Sequence, residues 1–143
     1  RINAIHTYTS SLIDRATKGC TASLTFILQQ LQHTLTMSNS KKMIEAKIGG
    51  KKVMVFAKSY CPFCKKAKKV LEECIKNGEL RREDYEAIDI EDDPDMEAIQ
   101  EELKRMTGVS TVPRVFINGK CIGGGDETVV AYESGKLKQL LAA

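Results

Sequence analysis

The sequence feature that most constrains the fold is an apolar run that ends shortly before a cysteine and a proline. The run Val53-Met54-Val55-Phe56 has no polar interruption, which is typical of a strand buried on both faces, and we expect a strand over 52–57. Proline is favoured in the first turn of a helix, so a helix should begin at Cys61-Pro62. A buried strand, a short loop and a helix form the first half of a β-α-β unit.

The second strand of that unit is predicted over 85–90, where apolar and polar residues alternate. A further helix should follow Asp92-Asp93-Pro94 and end at Gly108. Its expected apolar face consists of Met96, Ile99, Leu103 and Met106. The crossover through the helix that begins at Cys61 implies that the two strands pair in parallel.

The C-terminal part of the chain predicts a hairpin and a closing helix. Runs over 114–117 and 120–122 flank Asn118-Gly119, the strongest short-range signal for a hairpin. Helical sequence follows over 128–141, with an interruption near Gly135, and a short helix that ends at Gly49-Gly50 precedes the first strand. A β-α-β unit followed by β-β-α predicts an α/β protein with a four-stranded mixed sheet flanked by helices, the thioredoxin-like architecture.

Charge and cysteine content limit the classes of function. The net charge of +3 arises from 22 basic and 19 acidic residues, which is too mild to indicate a nucleic-acid partner. No apolar stretch approaches the roughly 20 residues that cross a bilayer, so no membrane partner is expected.

The five cysteines form an odd, scattered set with a single C-x-x-C, which favours a reducing compartment such as the cytoplasm. Structural zinc needs four suitably spaced ligands, so no metal is expected.

Residues 1–36 differ in composition from the rest, and we expect them to form a disordered extension before a domain over 37–143. The segment is rich in Ser and Thr, and Asp14 is its only acidic residue. One interpretation is a mitochondrial transit peptide, with the apolar residues of 24–28 on a helical face and a mitochondrial location for the protein. The other is a leader or an upstream translated sequence, with Met37 as the natural start.

Cys61 and Cys64 have the spacing of a redox-active pair. The thiolate is the form of cysteine that attacks a disulfide. Backbone N–H groups and the positive end of the helix dipole should stabilise this anion at Cys61, and Lys58 and Lys65 add positive charge. Cys64 should be more buried and protonated, and should act second by resolving a mixed disulfide. Cys74 is interpreted as an inert packing residue.

From about Ser40 to Leu141 the sequence resembles a dithiol glutaredoxin in four separated elements. They are Lys58-Ser59-Tyr60-Cys61-Pro62-Phe63-Cys64, Gln100 with Leu103 and Thr107-Gly108, Thr111-Val112-Pro113-Arg114-Val115-Phe116-Ile117, and Gly123-Gly124-Gly125-Asp126. The resemblance implies a glutathione-dependent disulfide oxidoreductase with glutathione as co-substrate. Cys61 alone would reduce glutathione mixed disulfides, and Cys61 with Cys64 would reduce protein disulfides. The implied partners are glutathione and glutathionylated or disulfide-bonded proteins, and a monomer is expected.

The resemblance also implies binding positions for glutathione. Lys58 and Gln100 would contact its glycine carboxylate, residues 111–113 would pair with its cysteine backbone, and residues 124–127 would hold its γ-glutamyl end. A cis Val112–Pro113 bond is expected, since it would leave the backbone groups of Val112 free for an extended peptide. The full expected binding set is Lys58, Tyr60, Phe63, Gln100, Thr111, Val112, Pro113, Gly124, Gly125, Asp126 and Glu127.

Two positions depart from the family pattern, and one basic cluster allows two interpretations. Phe63 replaces the tyrosine that is commoner in the family. Gly125-Asp126-Glu127 replaces the usual series of small residues followed by an aspartate. Contact with the γ-glutamyl amine would therefore come from Asp126, or else from Glu127. Four lysines follow the active site. They are either a solvated helix face or a surface that attracts anionic glutathione or acidic proteins, and they comprise Lys65, Lys66, Lys68 and Lys69.

Three rival functions are considered. A thioredoxin-type enzyme is disfavoured because the chain has no tryptophan and because its glycine-rich element suits glutathione. A carrier would hold an iron–sulfur cluster between two subunits with Cys61 and glutathione, but Pro62 resembles the redox members of the family. An interaction module with an inactive site would show no turnover of a small mixed disulfide.

Overall fold

The computed structural model describes the backbone of residues 6–143 and the side chains of residues 23–143. The chain comprises two compact units, Arg1–Thr36 and Met37–Ala143. Helix α1 spans His6–Gly50, so helix replaces the disorder expected before residue 37 over the described part of that segment. Residues 1–5 and the side chain of Cys20 lie outside the described part.

The length of α1 has a simple cause in the sequence. Neither proline nor glycine occurs over 20–48, so nothing in that stretch interrupts the hydrogen-bond ladder of a helix. The Thr34 hydroxyl donates to the Gln30 carbonyl at 2.8 Å, one turn back along the same helix. The apolar residues Leu24, Phe26, Ile27 and Leu28 are exposed. No helix among the described residues is both long and apolar enough to cross a lipid bilayer.

Four strands form one mixed sheet in the order β2-β1-β3-β4. The central strand β1, Val53–Ala57, pairs in parallel with β2, Tyr85–Asp89. It pairs on its other side, antiparallel, with β3, Arg114–Ile117, and β3 pairs antiparallel with β4, Lys120–Gly123. The predicted thioredoxin-like α/β architecture is confirmed.

Four further helices cover this sheet, and the start of the helix after β4 and a short turn before β2 differ from expectation. They are α2, Pro62–Lys76; α3, Met96–Thr107; α4, Gly125–Glu133; and α5, Lys136–Ala142. Helix α4 begins at Gly125 rather than at residue 128, because Glu127 bonds back to the chain just before the helix. A single 3-10 turn, Arg82–Asp84, precedes β2 and had no clear signal in the sequence.

Strand β1 divides the core because its successive side chains point to opposite faces of the sheet. Val53 and Val55 pack in one cluster with Leu71 of α2 and Leu137 of α5. The other face forms a second cluster. It contains Met54, Phe56 and Phe116 of the sheet, Ile44 and Ile48 of α1, and Ile99 and Leu103 of α3. All five residues of β1 are buried, as its uninterrupted apolar sequence predicts.

The β3–β4 turn has the conformation that its sequence demands. Asn118 has φ of 48° and Gly119 has φ of 81°, and a two-residue hairpin turn with positive φ at both positions favours this pair. The Asn118 amide also donates to the Leu140 carbonyl at 2.9 Å, which fastens the turn to α5.

The apolar face predicted for α3 is wrong at its C-terminal end. Ile99 and Leu103 are buried, but Met106 is exposed and Glu102 is buried instead. Arg105 makes that burial tolerable, since its guanidinium donates to both carboxylate oxygens of Glu102 at 2.8 and 2.6 Å. These hydrogen bonds lower the pKa of the Glu102 carboxyl.

Candidate active site

Cys61 lies where the loop after β1 enters helix α2. It is the N-cap residue, with extended backbone angles of −78° and 119°, and Pro62 occupies the first helical turn. The Cys61 N–H donates to the Lys58 carbonyl at 3.2 Å, and its carbonyl accepts from the Lys65 N–H at 3.1 Å. Its side chain is partly exposed. A sulfur at this position faces the positive end of the helix dipole and is open to a reactant.

Cys64 differs from Cys61 in its exposure to solvent. Its side chain is fully buried in the core cluster beneath α2. Burial raises the pKa of its thiol to about 11, although the Lys58 N–H, which donates to Sγ at 3.4 Å, acts in the opposite direction. Cys64 is therefore protonated at neutral pH, as the sequence predicts for the resolving residue.

The backbone before β3 lies against the reactive cysteine. The Val112–Pro113 bond is cis, as predicted from the sequence. The Cys61 thiol lies 3.8 Å from the Val112 carbonyl oxygen. Val112 is half-buried and Thr111 is exposed, so this segment beside Cys61 lies at the protein surface.

The glycine-rich turn before α4 lies against the first turn of α2. The Gly124 N–H donates to Glu127 Oε2 at 2.9 Å, and the Thr128 hydroxyl donates to the Gly124 carbonyl at 2.7 Å. Backbone N–H groups of Glu127 and Gly124 hold the pKa of the Glu127 carboxyl below its ordinary value. Asp126 is exposed and lies 3.5 Å from the Lys66 ammonium. The Glu127 carboxylate thus serves the helix start, whereas Asp126 faces solvent.

Lys58 and Gln100, the other predicted carboxylate contacts, lie beside each other. Lys58 Nζ donates to Gln100 Oε1 at 3.4 Å, and Gln100 Nε2 donates to the Ser110 carbonyl at 3.3 Å. The two predicted aromatic contacts are exposed, Tyr60 at 68% and Phe63 at 46%, so both remain available to a ligand. The glutathione contacts expected of these residues stay predictions.

Two residues that hold the site were missed by sequence analysis. Arg114 is buried, and its guanidinium donates to the Thr111 carbonyl at 2.7 Å and to the Thr111 hydroxyl at 2.9 Å. Glu91 Oε1 accepts the Ser59 N–H at 2.8 Å, and the hydrogen bonds from Ser59 lower the pKa of the Glu91 carboxyl. Glu91 could have been anticipated, because the carboxyl ends of the parallel strands β1 and β2 meet at one edge of the sheet.

The remaining described cysteines differ in burial. Cys121 is exposed on β4, whereas Cys74 is fully buried beneath α2, which agrees with its interpretation as a packing residue. Burial, with a smaller contribution from Glu79, raises the pKa of the Cys74 thiol to about 11. Among the side chains that the structure describes, no group of three or more His, Cys, Asp or Glu is arranged to hold a metal ion.

Cys74 should make stability depend on pH above neutrality. The unfolded chain releases this proton near 9.0 and the folded protein near 11, so the contribution is complete below pH 9 and is lost as the pH rises to 11. We expect the urea midpoint, measured in reductant, to fall between about pH 9 and pH 11, and to fall less for Cys74→Ala. Equal falls for the two proteins would show that Cys74 does not contribute.

An accessible cysteine at a helix N-terminus, followed one turn later by a buried protonated cysteine on a thioredoxin-like fold, defines the class of thiol-disulfide oxidoreductases. A family model described as Glutaredoxin matches residues 53–122. Glutaredoxin-C8 of Oryza sativa subsp. japonica is 40% identical over 124 residues, which cover 86% of this chain and 88% of the relative. The chain belongs to the glutaredoxin family.

Solved structures agree with this assignment. The crystal structure of oxidized glutaredoxin 2 from Chlamydomonas reinhardtii matches with a TM-score of 0.67 and 39% identity, covering 74% of this chain and 94% of that one. The crystal structure of a buckwheat glutaredoxin–glutathione complex matches with a TM-score of 0.65 and 32% identity, covering 75% and 91% of the two chains.

Proposed function

We propose that this protein uses glutathione to reduce glutathione mixed disulfides through Cys61 alone, and protein disulfides through Cys61 together with Cys64. The observation that carries the proposal is the contrast between the two sulfurs: Cys61 is partly exposed at a helix N-terminus, and Cys64 is buried with a raised pKa. Of these two sulfurs, Cys61 is the one that is accessible to a disulfide in solution. The buckwheat relative, crystallised with glutathione, supports glutathione as the co-substrate.

The monothiol route conserves atoms and electrons over two exchanges. The Cys61 thiolate attacks the glutathionyl sulfur of a mixed disulfide, that S–S bond breaks, and the substrate leaves as a thiolate that takes up a proton. Cys61 is then joined to glutathione. A second glutathione, as its thiolate, attacks the glutathionyl sulfur, which frees Cys61 and yields glutathione disulfide. In the net exchange the substrate sulfur is reduced from disulfide to thiol, the incoming glutathione is oxidised from thiol to disulfide, and the glutathionyl sulfur remains at the disulfide level throughout.

The dithiol route adds Cys64 as the resolving residue. Attack of Cys61 on a protein disulfide leaves the substrate joined to Cys61 and releases its other sulfur. Cys64 then loses its proton, attacks the Cys61 sulfur, and forms the Cys61–Cys64 disulfide as the reduced substrate departs. Two glutathione molecules restore both thiols and become glutathione disulfide.

The binding set proposed for glutathione follows the contacts around Cys61. The segment of Thr111 and Val112 lies beside Cys61 without being fully buried, which suits pairing with an extended peptide, and Lys58 beside Gln100 suits a carboxylate. Among the two acids near the glycine-rich turn, Asp126 is the better candidate for the γ-glutamyl amine, because Glu127 already bonds to the Gly124 N–H.

Reduction of a small glutathione mixed disulfide tests this function most directly. With NADPH and glutathione reductase present, we expect NADPH oxidation that requires both glutathione and this protein. No comparable rate should appear when thioredoxin reductase replaces glutathione and its reductase. Absence of glutathione-dependent turnover would overturn the proposal, and visible absorbance of the anaerobically purified protein would then favour the iron–sulfur carrier.

A further inference from the structure

Two lysines of α2 lie one and two turns beyond the reactive cysteine. Lys65 and Lys69 are four residues apart within the helix, a spacing that places their two side chains on one side of it, and Cys61 caps the start of the same helix. Both lysines are exposed. Four residues of helix rise about 6 Å, so the backbone positions of Lys65 and Lys69 lie about 6 Å and 12 Å along α2 from Cys61.

The charges of these two lysines are not compensated by the protein. Among the described residues neither lysine forms an ion pair, whereas Lys66 pairs with Asp126 and Lys68 pairs with Asp89. The neighbouring lysines of the same helix are therefore neutralised, and Lys65 and Lys69 are not.

The acidic residues three and four positions after Lys69, which could pair with it along the helix, form ion pairs with other basic residues. Glu73, four residues further on, pairs with Lys76 at 3.0 Å. Glu72, three residues on, lies 3.9 Å from the Arg82 guanidinium. A solvated surface commonly pairs such charges at a spacing of three or four residues. The free pair beside the reactive sulfur is thus available to a negatively charged partner.

We propose that Lys65 and Lys69 select protein substrates that carry acidic side chains two and four residues from the oxidised cysteine. This inference rests on the proposed function and adds a substrate class to it. An extended chain advances about 3.3 Å per residue, so two residues of substrate span roughly the same length as four residues of α2. A substrate cysteine held at Cys61 would place carboxylates at those positions beside the two ammonium groups.

The contact acts before and during the exchange at Cys61. The substrate is joined through sulfur to glutathione, and it leaves as a thiol once Cys61 has taken the glutathionyl group. Attraction between the free lysines and the substrate carboxylates raises the rate of encounter more than it changes the chemistry of the exchange, and salt should screen it.

Glutathionylated peptides test this selection. Four peptides of equal length would be compared. The first carries acidic residues two and four positions after the cysteine, and the second carries them two and four positions before it. The third carries lysines at all four of these positions, and the fourth carries serines there. We expect kcat/KM for at least one acidic peptide to exceed that for the serine peptide by about threefold to tenfold at low salt, with the lysine peptide slowest. The differences should shrink at about 0.5 M salt.

The matched variants assign the effect to the two lysines. In the double variant Lys65→Glu with Lys69→Glu, the order of the acidic and lysine peptides should reverse. The control carries Lys120→Glu and Lys136→Glu, two exposed lysines of β4 and α5 that have no ion pair in the described part of the chain, and it should keep the original order.

The outcomes separate this inference from the proposed function. Turnover of the serine peptide without preference among the charged peptides, or an equal change in both double variants, would identify the lysines as an ordinary solvated face and overturn the inference. Failure to turn over any peptide, including the serine peptide, would instead contradict the proposed function.

Discussion

Replacement of Cys61 by serine should abolish the reduction of both glutathione mixed disulfides and protein disulfides, with a fall in rate of about a thousandfold or more. A hydroxyl does not form the required sulfur–sulfur bond, and the other cysteine of the pair is buried. Replacement of Cys64 by serine should leave the reduction of a small mixed disulfide within about threefold of the unmodified protein, because the monothiol route does not use it. The same variant should lose most of its activity on protein disulfides.

Cys121→Ser is the matched control for these variants. It removes an exposed cysteine of β4 that the proposed mechanism does not use, and both activities should be unchanged. Circular dichroism would verify that each variant is folded, which matters most for Cys64 because its side chain is fully buried. Equal loss of mixed-disulfide reduction in Cys61→Ser and Cys64→Ser would contradict the assignment of separate roles.

Replacement of Gly125 by alanine should destabilise the protein by about 1–3 kcal/mol. An alanine Cβ at this position would lie 2.5 Å from the Phe63 carbonyl oxygen and 2.9 Å from the Phe63 Cβ. The nearest obstacle is backbone rather than a flexible side chain, so α4 and the first turn of α2 would have to separate. Urea unfolding should show a lower midpoint with an unchanged slope, and the affinity for glutathione should fall as well.

Gly49→Ala is the matched control for Gly125→Ala. Gly49 lies in the last turn of α1, and a Cβ there would meet nothing within 4 Å. Alanine should leave stability unchanged or raise it by up to about 1 kcal/mol, because glycine costs conformational entropy in a helix. Equal midpoints for the two variants would show that the contact with Phe63 does not limit the packing of α4.

The fold was predictable wherever local sequence and tertiary packing favour the same conformation. The apolar run of β1, the proline after Cys61 and the Asn118-Gly119 turn each have one strongly preferred structure. The depth of Cys64 followed from its place one helical turn after Cys61. The cis bond before Pro113 was expected through the family resemblance rather than through physical reasoning alone.

Features that depend on distant partners were not predictable in the same way. Glu102 is buried because Arg105 donates hydrogen bonds to its carboxylate. Met106, which was expected on the buried face of α3, is exposed instead. The bonds of Arg114 to Thr111 require the local conformation of the loop before β3 to be known. Helix replaces the disorder expected ahead of residue 37 because the stretch 20–48 lacks helix breakers, which outweighs its Ser- and Thr-rich composition.

The protonated state of Cys64 has a kinetic consequence for the fate of a glutathionylated Cys61. Burial is the largest cause of the raised pKa of the Cys64 thiol, so its thiolate is scarce at neutral pH. Intramolecular displacement is slowed by this scarcity, which lengthens the interval in which a free glutathione molecule reaches the adduct. Under the proposed mechanism, the depth of this one sulfur in the core would therefore favour the monothiol route when glutathione is abundant.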